Sequence, residues 1–70
     1  MMPLSMAEQE KELIIHKIGG NPDVKKHLED LGFHVGGEVS LISRLGENVI
    51  VKVKGSRVAI SEELARKIMV

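Results

Sequence analysis

The chain lacks cysteine, tryptophan and tyrosine, and Phe33 is its only aromatic residue. Without cysteine, neither disulfides nor thiolate metal sites can form, and a reducing cytosol is the compartment that this composition favours. Proteins that bind single-stranded nucleic acid stack the bases on aromatic side chains. One phenylalanine is a poor platform for that purpose, so the composition argues against a nucleic-acid partner.

The chain also lacks an excess of either charge and any long apolar run. Ten basic residues balance ten acidic ones, so no overall field attracts phosphate or an anionic membrane. The segment "MMPLSMAEQEKE" has neither the basic start nor the apolar run of a signal peptide, and nothing later approaches a membrane span. We therefore expect a cytoplasmic protein without membrane insertion, folded as one domain over residues 1–70 around a modest core.

Catalytic and metal-binding motifs are missing as well. There is no glycine-rich phosphate loop ending in Lys-Ser/Thr and no carboxylate pair beside a base. His16, His27 and His34 do not have the spacing of a paired metal site, and no carboxylate stands beside two of them. The sequence thus predicts no enzyme activity, no cofactor and no metal site, with histidines that are exposed or partly packed.

Two elements are indicated before residue 32. The β-branched stretch "ELIIHKI", residues 12–18, predicts a first strand. Asn21 is a favourable N-cap, and Pro22 stands at the favoured first helical position. Val24, Leu28 and Leu31 recur at i, i+4 and i+7, which predicts an amphipathic helix over residues 22–31.

The stretch "LEDLGFHVGGEV", residues 28–39, predicts a structural corner where this helix ends. Gly32 follows the last periodic residue, where a left-handed conformation lets the final carbonyls find donors. Phe33 is then placed to pack back on Leu28. Gly36 and Gly37 provide a second turn. The corner residues are Leu28, Leu31, Gly32, Phe33 and Gly36.

A three-stranded meander is expected after the corner. The first strand is "EVSLISRL", in which Val39, Leu41 and Leu45 alternate with Ser40, Ile42 and Arg44. "GEN" then leads into "VIVKVK", and Gly55-Ser56 suits a type II′ turn before "RVAI". Ser61 can cap a last helix over residues 62–68 with Leu64 and Ile68 facing inward. This order predicts a mainly β protein: a small, partly open SH3-like barrel with a short inserted helix and a C-terminal helix.

The period-two pattern leaves some apolar and basic residues on the outer face of the hairpin. A small apolar centre with a charged rim is what a weak protein interface needs. The candidate partner-binding residues are Ile42, Arg44, Ile50, Lys52 and Lys54. Two other interpretations stay open: solvated outward positions without a partner, or isoleucines covered by a helix and therefore core. Exposed hairpin edges also favour self-association.

Nearly the whole chain, in order, resembles the FeoA family of small ferrous-iron-transport accessory proteins. The family's Leu-Gly-Phe turn, its Gly followed by an acidic residue and valine, its valine-rich hairpin and its Ala-x-x-Ile-x-Val end all have counterparts here. They fall on Leu28, Leu31, Gly32, Phe33, Gly36, Glu38, Val39, Val49, Val51, Val53, Gly55, Ala65, Ile68 and Val70. Val35 departs from the family, which usually has proline there.

The resemblance implies a non-catalytic SH3-like protein that contacts the cytosolic part of FeoB, the membrane ferrous-iron transporter. Two alternatives remain open at this point. One is a relative of the SH3-like C-terminal domain of iron-dependent repressors, and the other is a small RNA-associated barrel, which the zero net charge disfavours.

Overall fold

The computed structural model describes residues 1–70, which form two antiparallel sheets with short helices at their ends. A 3-10 helix covers Leu4–Met6. It is followed by β1 (Leu13–Ile14), β2 (Lys17–Ile18), α1 (Pro22–Asp30), β3 (Glu38–Leu45), β4 (Asn48–Val53), β5 (Ser56–Ser61), α2 (Glu62–Ala65) and β6 (Ile68–Met69). One sheet has the order β1-β3-β4-β5 and the other pairs β2 with β6. The strands do not close into a continuous barrel, so the mainly β, partly open architecture is as predicted. Neither α-helix has the length and apolar character needed to cross a bilayer.

The predicted strand over residues 12–18 is in fact two strands that belong to different sheets. The N–H of Ile15 donates to the carbonyl of Gly37 (2.9 Å), on the side of β3. The N–H of His16 donates instead to the carbonyl of Met69 (2.8 Å). The prediction of a single strand was therefore wrong, because the chain changes hydrogen-bonding partners between these two residues.

Helix α1 begins at the predicted residue and ends one residue earlier than predicted, at Asp30, with Leu31 as its C-cap. The Asn21 side chain accepts a hydrogen bond from the N–H of Val24 (2.9 Å), with Pro22 directly after the cap. At the other end Gly32 has a φ of 109°, which confirms the expected left-handed backbone. The N–H of Gly32 donates to the carbonyl of Glu29, and that of Phe33 to the carbonyl of Leu28, both at 2.9 Å. These two bonds form a Schellman motif.

The C-terminal helix is shorter than expected. Ser61 caps α2 as predicted, since its Oγ accepts from the N–H of Leu64 (3.1 Å), but the helix is over at Ala65. Ile68 then pairs with Ile18 in β6. The predicted helix over residues 62–68 is therefore wrong in its second half, because the end of the chain forms a strand between β2 and the N-terminus. Met2 and Val70 exchange two backbone hydrogen bonds there, of 2.9 and 2.8 Å.

The second hairpin turn lies one residue earlier than predicted. Val53 pairs with Ser56, so the two-residue loop is Lys54-Gly55 rather than Gly55-Ser56. Both loop residues have positive φ, 50° for Lys54 and 77° for Gly55. That combination defines a type I′ turn, not the expected type II′ turn.

The core lies between the four-stranded sheet and the helices. Its members are apolar side chains with at most 4% of their surface exposed: Leu4, Ala7, Ile15, Leu28, Phe33, Val39, Leu41, Val49, Val51, Val53, Ile60, Ala65 and Ile68. Phe33 and Leu28 are completely buried. The corner therefore fixes one end of the core, and the opposite face of β3, β4 and β5 carries the candidate surface.

Candidate partner-binding surface

A bulge at Ile42 determines which side chains of β3 face outward. Leu41 pairs with Val51 of β4, whereas Ser43 pairs with Ile50, so Ile42 is an extra residue between two regular pairs. Such a bulge shifts the alternation of the strand by one position. From Ser43 onward, every side chain therefore lies on the face opposite to the one that simple alternation predicts.

Two of the sequence-based assignments are wrong for this reason. Arg44 pairs with Val49, whose side chain is buried. The Arg44 side chain therefore leaves the strand on the inner face of the sheet and not on the outer face. Its guanidinium donates to the carbonyls of Ser5 (2.8 Å) and Ala7 (3.0 Å). Leu45, predicted to face inward, is 69% exposed. The signal was present in the sequence, because Ser43 interrupts the apolar alternation after two adjacent apolar residues, Leu41 and Ile42.

The two isoleucines remain on the outer side of the sheet. Both Ile42 and Ile50 are partly exposed, and neither belongs to the core or packs against it. Ile50 lies between Ser43 of β3 and Ala59 of β5 in one cross-strand row. The helices therefore do not cover this face, and the interpretation of the isoleucines as core residues is not supported.

A groove of about 670 Å³ joins part of the predicted set. Ile42, Lys52 and Lys54 line it, together with Gly55. Ile50 and Arg44 do not line it. The structure therefore brings three of the five candidate residues together and leaves two outside.

The groove is also lined by acidic residues, which the sequence pattern did not indicate. Glu10, Glu12 and Glu38 line it, and all three side chains are exposed. Glu10 is placed there by an unusual backbone with a φ of 62°, and its N–H donates to the carbonyl of Leu41 (2.7 Å). The N-terminal segment thus runs beside β3, a long-range contact that no local pattern reveals.

Lys54 connects the groove to the corner. A Cβ added at Gly32 would lie 3.6 Å from Cδ of Lys54, so the aliphatic part of Lys54 passes over the glycine. The same Cβ would lie 3.8 Å from the Val53 methyl groups. The helix end and the tip of the second hairpin therefore form one continuous surface, although they are about twenty residues apart in the sequence.

The basic side chains on the outer face have no acidic partners. Lys52 pairs directly with Arg57 across β4 and β5, and like charges in that position repel each other. The molecule contains one ion pair, between Arg66 and Glu62 at 2.9 Å. Lys52, Lys54 and Arg57 are thus available to carboxylates of another molecule.

The structure groups no three histidine, aspartate or glutamate side chains in a position to hold one metal ion. His16, His27 and His34 are all exposed: His27 lies on α1, His16 between β1 and β2, and His34 between α1 and β3. The His34 ring rests over Gly37, where an added Cβ would lie 3.3 Å from Nε2. The absence of a tight iron site in this protein stays a prediction.

Comparisons with known proteins agree on one family. A family model described as "FeoA domain" matches residues 2–70. The protein named "Putative Fe(2+) transport protein A" from Methanocaldococcus jannaschii is 36% identical over 70 residues, covering 100% of this chain and 85% of that protein.

Solved structures show the same fold. A crystal structure of an iron uptake regulatory protein (FeoA) superposes with a TM-score of 0.89 at 26% identity, covering 97% of this chain and 90% of the other. The Stenotrophomonas maltophilia FeoA complexed with zinc, described as a prokaryotic SH3 domain protein, gives 0.82 at 24% identity, covering 99% and 88%. ScaR with bound Zn²⁺ gives 0.84 at 20% identity, but this chain covers only 35% of it, which is a likeness of fold alone.

Proposed function

The chain belongs to the FeoA family, and from that premise we propose that it is a non-catalytic accessory protein of ferrous-iron uptake. In this proposal it acts in the cytoplasm by contacting the cytosolic part of an FeoB-type transporter. The partner is proposed from the family resemblance. The supporting observation in the structure is the groove, which is lined by Ile42, by the lysines Lys52 and Lys54 that make no ion pair, and by carboxylates.

The groove has the composition of a weak, reversible protein interface. Ile42 offers a small apolar centre that burial would stabilise, and the charged rim would orient the partner. Lys52 and Lys54 favour carboxylates of a partner, whereas Glu10, Glu12 and Glu38 favour its basic side chains. A partner segment that carries both signs of charge around an apolar residue would fit this arrangement.

The related repressor fold does not support a second function. The likeness to ScaR is at 20% identity and concerns about a third of that protein. The family match, by contrast, covers residues 2–70 of this chain. We therefore propose the transporter contact alone.

The experiment measures binding of the separately expressed cytosolic domain of an FeoB-type transporter to wild-type and variant chains. Ile42→Ser should weaken binding at least about fivefold, because it removes the apolar centre. Its matched control is Leu45→Ser, which changes an apolar side chain that is 69% exposed and does not line the groove. Equal binding by both variants would contradict the proposed surface, and no binding by the wild type would contradict the proposed partner.

A further inference from the structure

The strand β5 forms an open edge of the four-stranded sheet. Val53 and Ser56 form the hydrogen-bonded pair that closes the two-residue turn before β5. Just after β5, the N–H of Glu62 donates to the carbonyl of Glu47 (2.9 Å), so this pair is hydrogen-bonded as well. In an antiparallel ladder, hydrogen-bonded and non-hydrogen-bonded pairs alternate. The N–H and C=O groups of Arg57 and Ala59 therefore point away from β4, and no element of the chain lies on that side of β5 in the sheet.

This edge carries few of the features that block strand addition. Proteins protect exposed edges with proline, bulges, very short strands or several charges. The six residues of β5 pair with β4 without a register shift, and they include no proline and a single charge, Arg57. The opposite edge strand, β1, is only two residues long. An extended segment can therefore add to the sheet at β5.

The two ends of β5 carry opposite charges. Arg57, near the start, faces Lys52 and makes no ion pair. At the far end a cavity of about 350 Å³ is lined by Glu47, Glu62 and Glu63, with Arg66 as its one basic side chain. An antiparallel copy of the same strand would bring the basic end of one β5 against the acidic end of the other.

We propose that β5 pairs antiparallel with β5 of a second copy of this chain, with Ala59 opposite Ala59 of that copy. In this register Arg57 lies opposite Ser61 of the second copy and reaches the acidic cavity beside it. The two-fold axis repeats this contact, so the interface is isologous. The two Arg57 residues stand four positions apart along the strands, about 13 Å, which keeps their mutual repulsion small.

The outer face is compatible with the same register. Ile50 pairs with Ala59, so the two-fold axis creates a row in which both alanines are flanked by both Ile50 side chains. Ala59 is small enough to let the copies approach at normal strand spacing. The partly exposed Ile50 would lose water contact on this side, which adds apolar burial to the main-chain hydrogen bonds. This inference is independent of the transporter contact, which is assigned to the groove.

Sedimentation equilibrium of the wild-type chain provides the first test. A pairing of about four main-chain hydrogen bonds with a small apolar row belongs to the weak class of interfaces, so we expect a dissociation constant between about 0.05 and 1 mM. Amide hydrogen exchange at the same concentrations should slow at Arg57 and Ala59 as the dimer forms. A monomer at every concentration up to about 1 mM, or slowed exchange elsewhere with both amides unchanged, would overturn the proposal.

Charge reversal tests the register. Arg57→Glu and Glu63→Arg should each weaken dimerisation at least about tenfold, because each places like charges together. A mixture of the two variants should associate again, since both contacts then join opposite charges, and the double variant should dimerise by itself. Lys25→Glu and Glu29→Arg make the same charge changes on α1. Both variants should dimerise as strongly as the wild type.

Failure of the mixture and of the double variant to associate would overturn the Arg57 contact. A third outcome concerns a different occupant. If the Arg57 and Ala59 amides are protected only after the cytosolic transporter domain is added, a strand of that domain occupies the edge. The self-pairing would then be wrong.

Discussion

The N–H of Phe33 donates to the carbonyl of Leu28 at 2.9 Å, and both side chains are completely buried. This relationship depends on Gly32, whose φ of 109° turns the chain between them. At that φ a side chain strains the backbone even though the nearest atoms, at 3.6 Å, leave room for a Cβ. The corner is therefore maintained by backbone conformation rather than by lack of space.

Replacement of Gly32 should destabilise the fold through this backbone strain. We expect Gly32→Val to lower the free energy of unfolding by at least about 1–2 kcal/mol, measured from urea midpoints. Gly19→Val is the matched control, because Gly19 does not have a positive φ and only the carbonyl of Lys67 lies near its added Cβ, at 3.6 Å. An unchanged midpoint for the Gly32 variant would show that the helix does not end as described.

Proline at position 35 should stabilise the chain. The N–H of Gly37 donates to the carbonyl of His34 (2.9 Å), and Gly36 has a φ of 88°, as in a type II turn with Val35 at its second position. Proline is favoured there, and the N–H of Val35 makes no backbone hydrogen bond in this turn. Val35→Pro should therefore raise stability by about 0.4–1 kcal/mol, whereas Val35→Ala should not. A lower melting temperature for the proline variant would contradict this geometry.

Arg44 should stabilise the N-terminal segment rather than bind a partner. Its guanidinium donates to the carbonyls of Ser5 and Ala7, next to the buried Leu4. Arg44→Met keeps the aliphatic stem but removes both bonds, and because the site is largely exposed we expect a loss of about 0.5–1.5 kcal/mol. Amide exchange of Val70, which donates to Met2, should accelerate more than that of α1. Lys26→Met, at an exposed position without an ion pair, is the control, and an equal effect of both variants would contradict this role.

The chain should bind ferrous iron at most weakly. No constellation supplies the three or more converging nitrogen and oxygen ligands that a tight site requires. Anaerobic calorimetry with Fe²⁺ is therefore expected to show weak, non-saturating heats. A stoichiometric site that disappears in His27→Ala or His34→Ala would contradict this expectation.

Local signals allowed the helix and its corner to be predicted from the sequence. The Asn21 cap, Pro22 and the Gly32-Phe33 end each depend on neighbours within one or two turns, so residue identities alone indicate the bounds of α1. The turn before β3 was likewise evident from Gly36. The FeoA resemblance was visible because its residues follow one another over the whole chain, and the family match over residues 2–70 confirms it.

The features that the sequence does not predict depend on partners far away along the chain. The predicted strand over residues 12–18 divides because the N–H of Ile15 donates to Gly37, next to β3, whereas the N–H of His16 donates to Met69 in β6. The last helix is short because Ile68 pairs with Ile18, fifty residues earlier. The bulge at Ile42 exchanges the faces on which the side chains of Arg44 and Leu45 lie, so Arg44 does not belong to the candidate surface. In each case tertiary pairing overrides a local pattern.

The most direct test of the proposed transporter contact is a nuclear magnetic resonance titration of the isotope-labelled chain. The titrant is the separately expressed cytosolic domain of an FeoB-type transporter, at a chain concentration low enough to keep the chain monomeric. Amide signals of Ile42, Lys52 and Lys54 should shift together and saturate, while those of Lys25 and Lys26 on the exposed face of α1 should stay in place. Unchanged spectra, or shifts on α1 with the groove unaffected, would contradict the proposed contact.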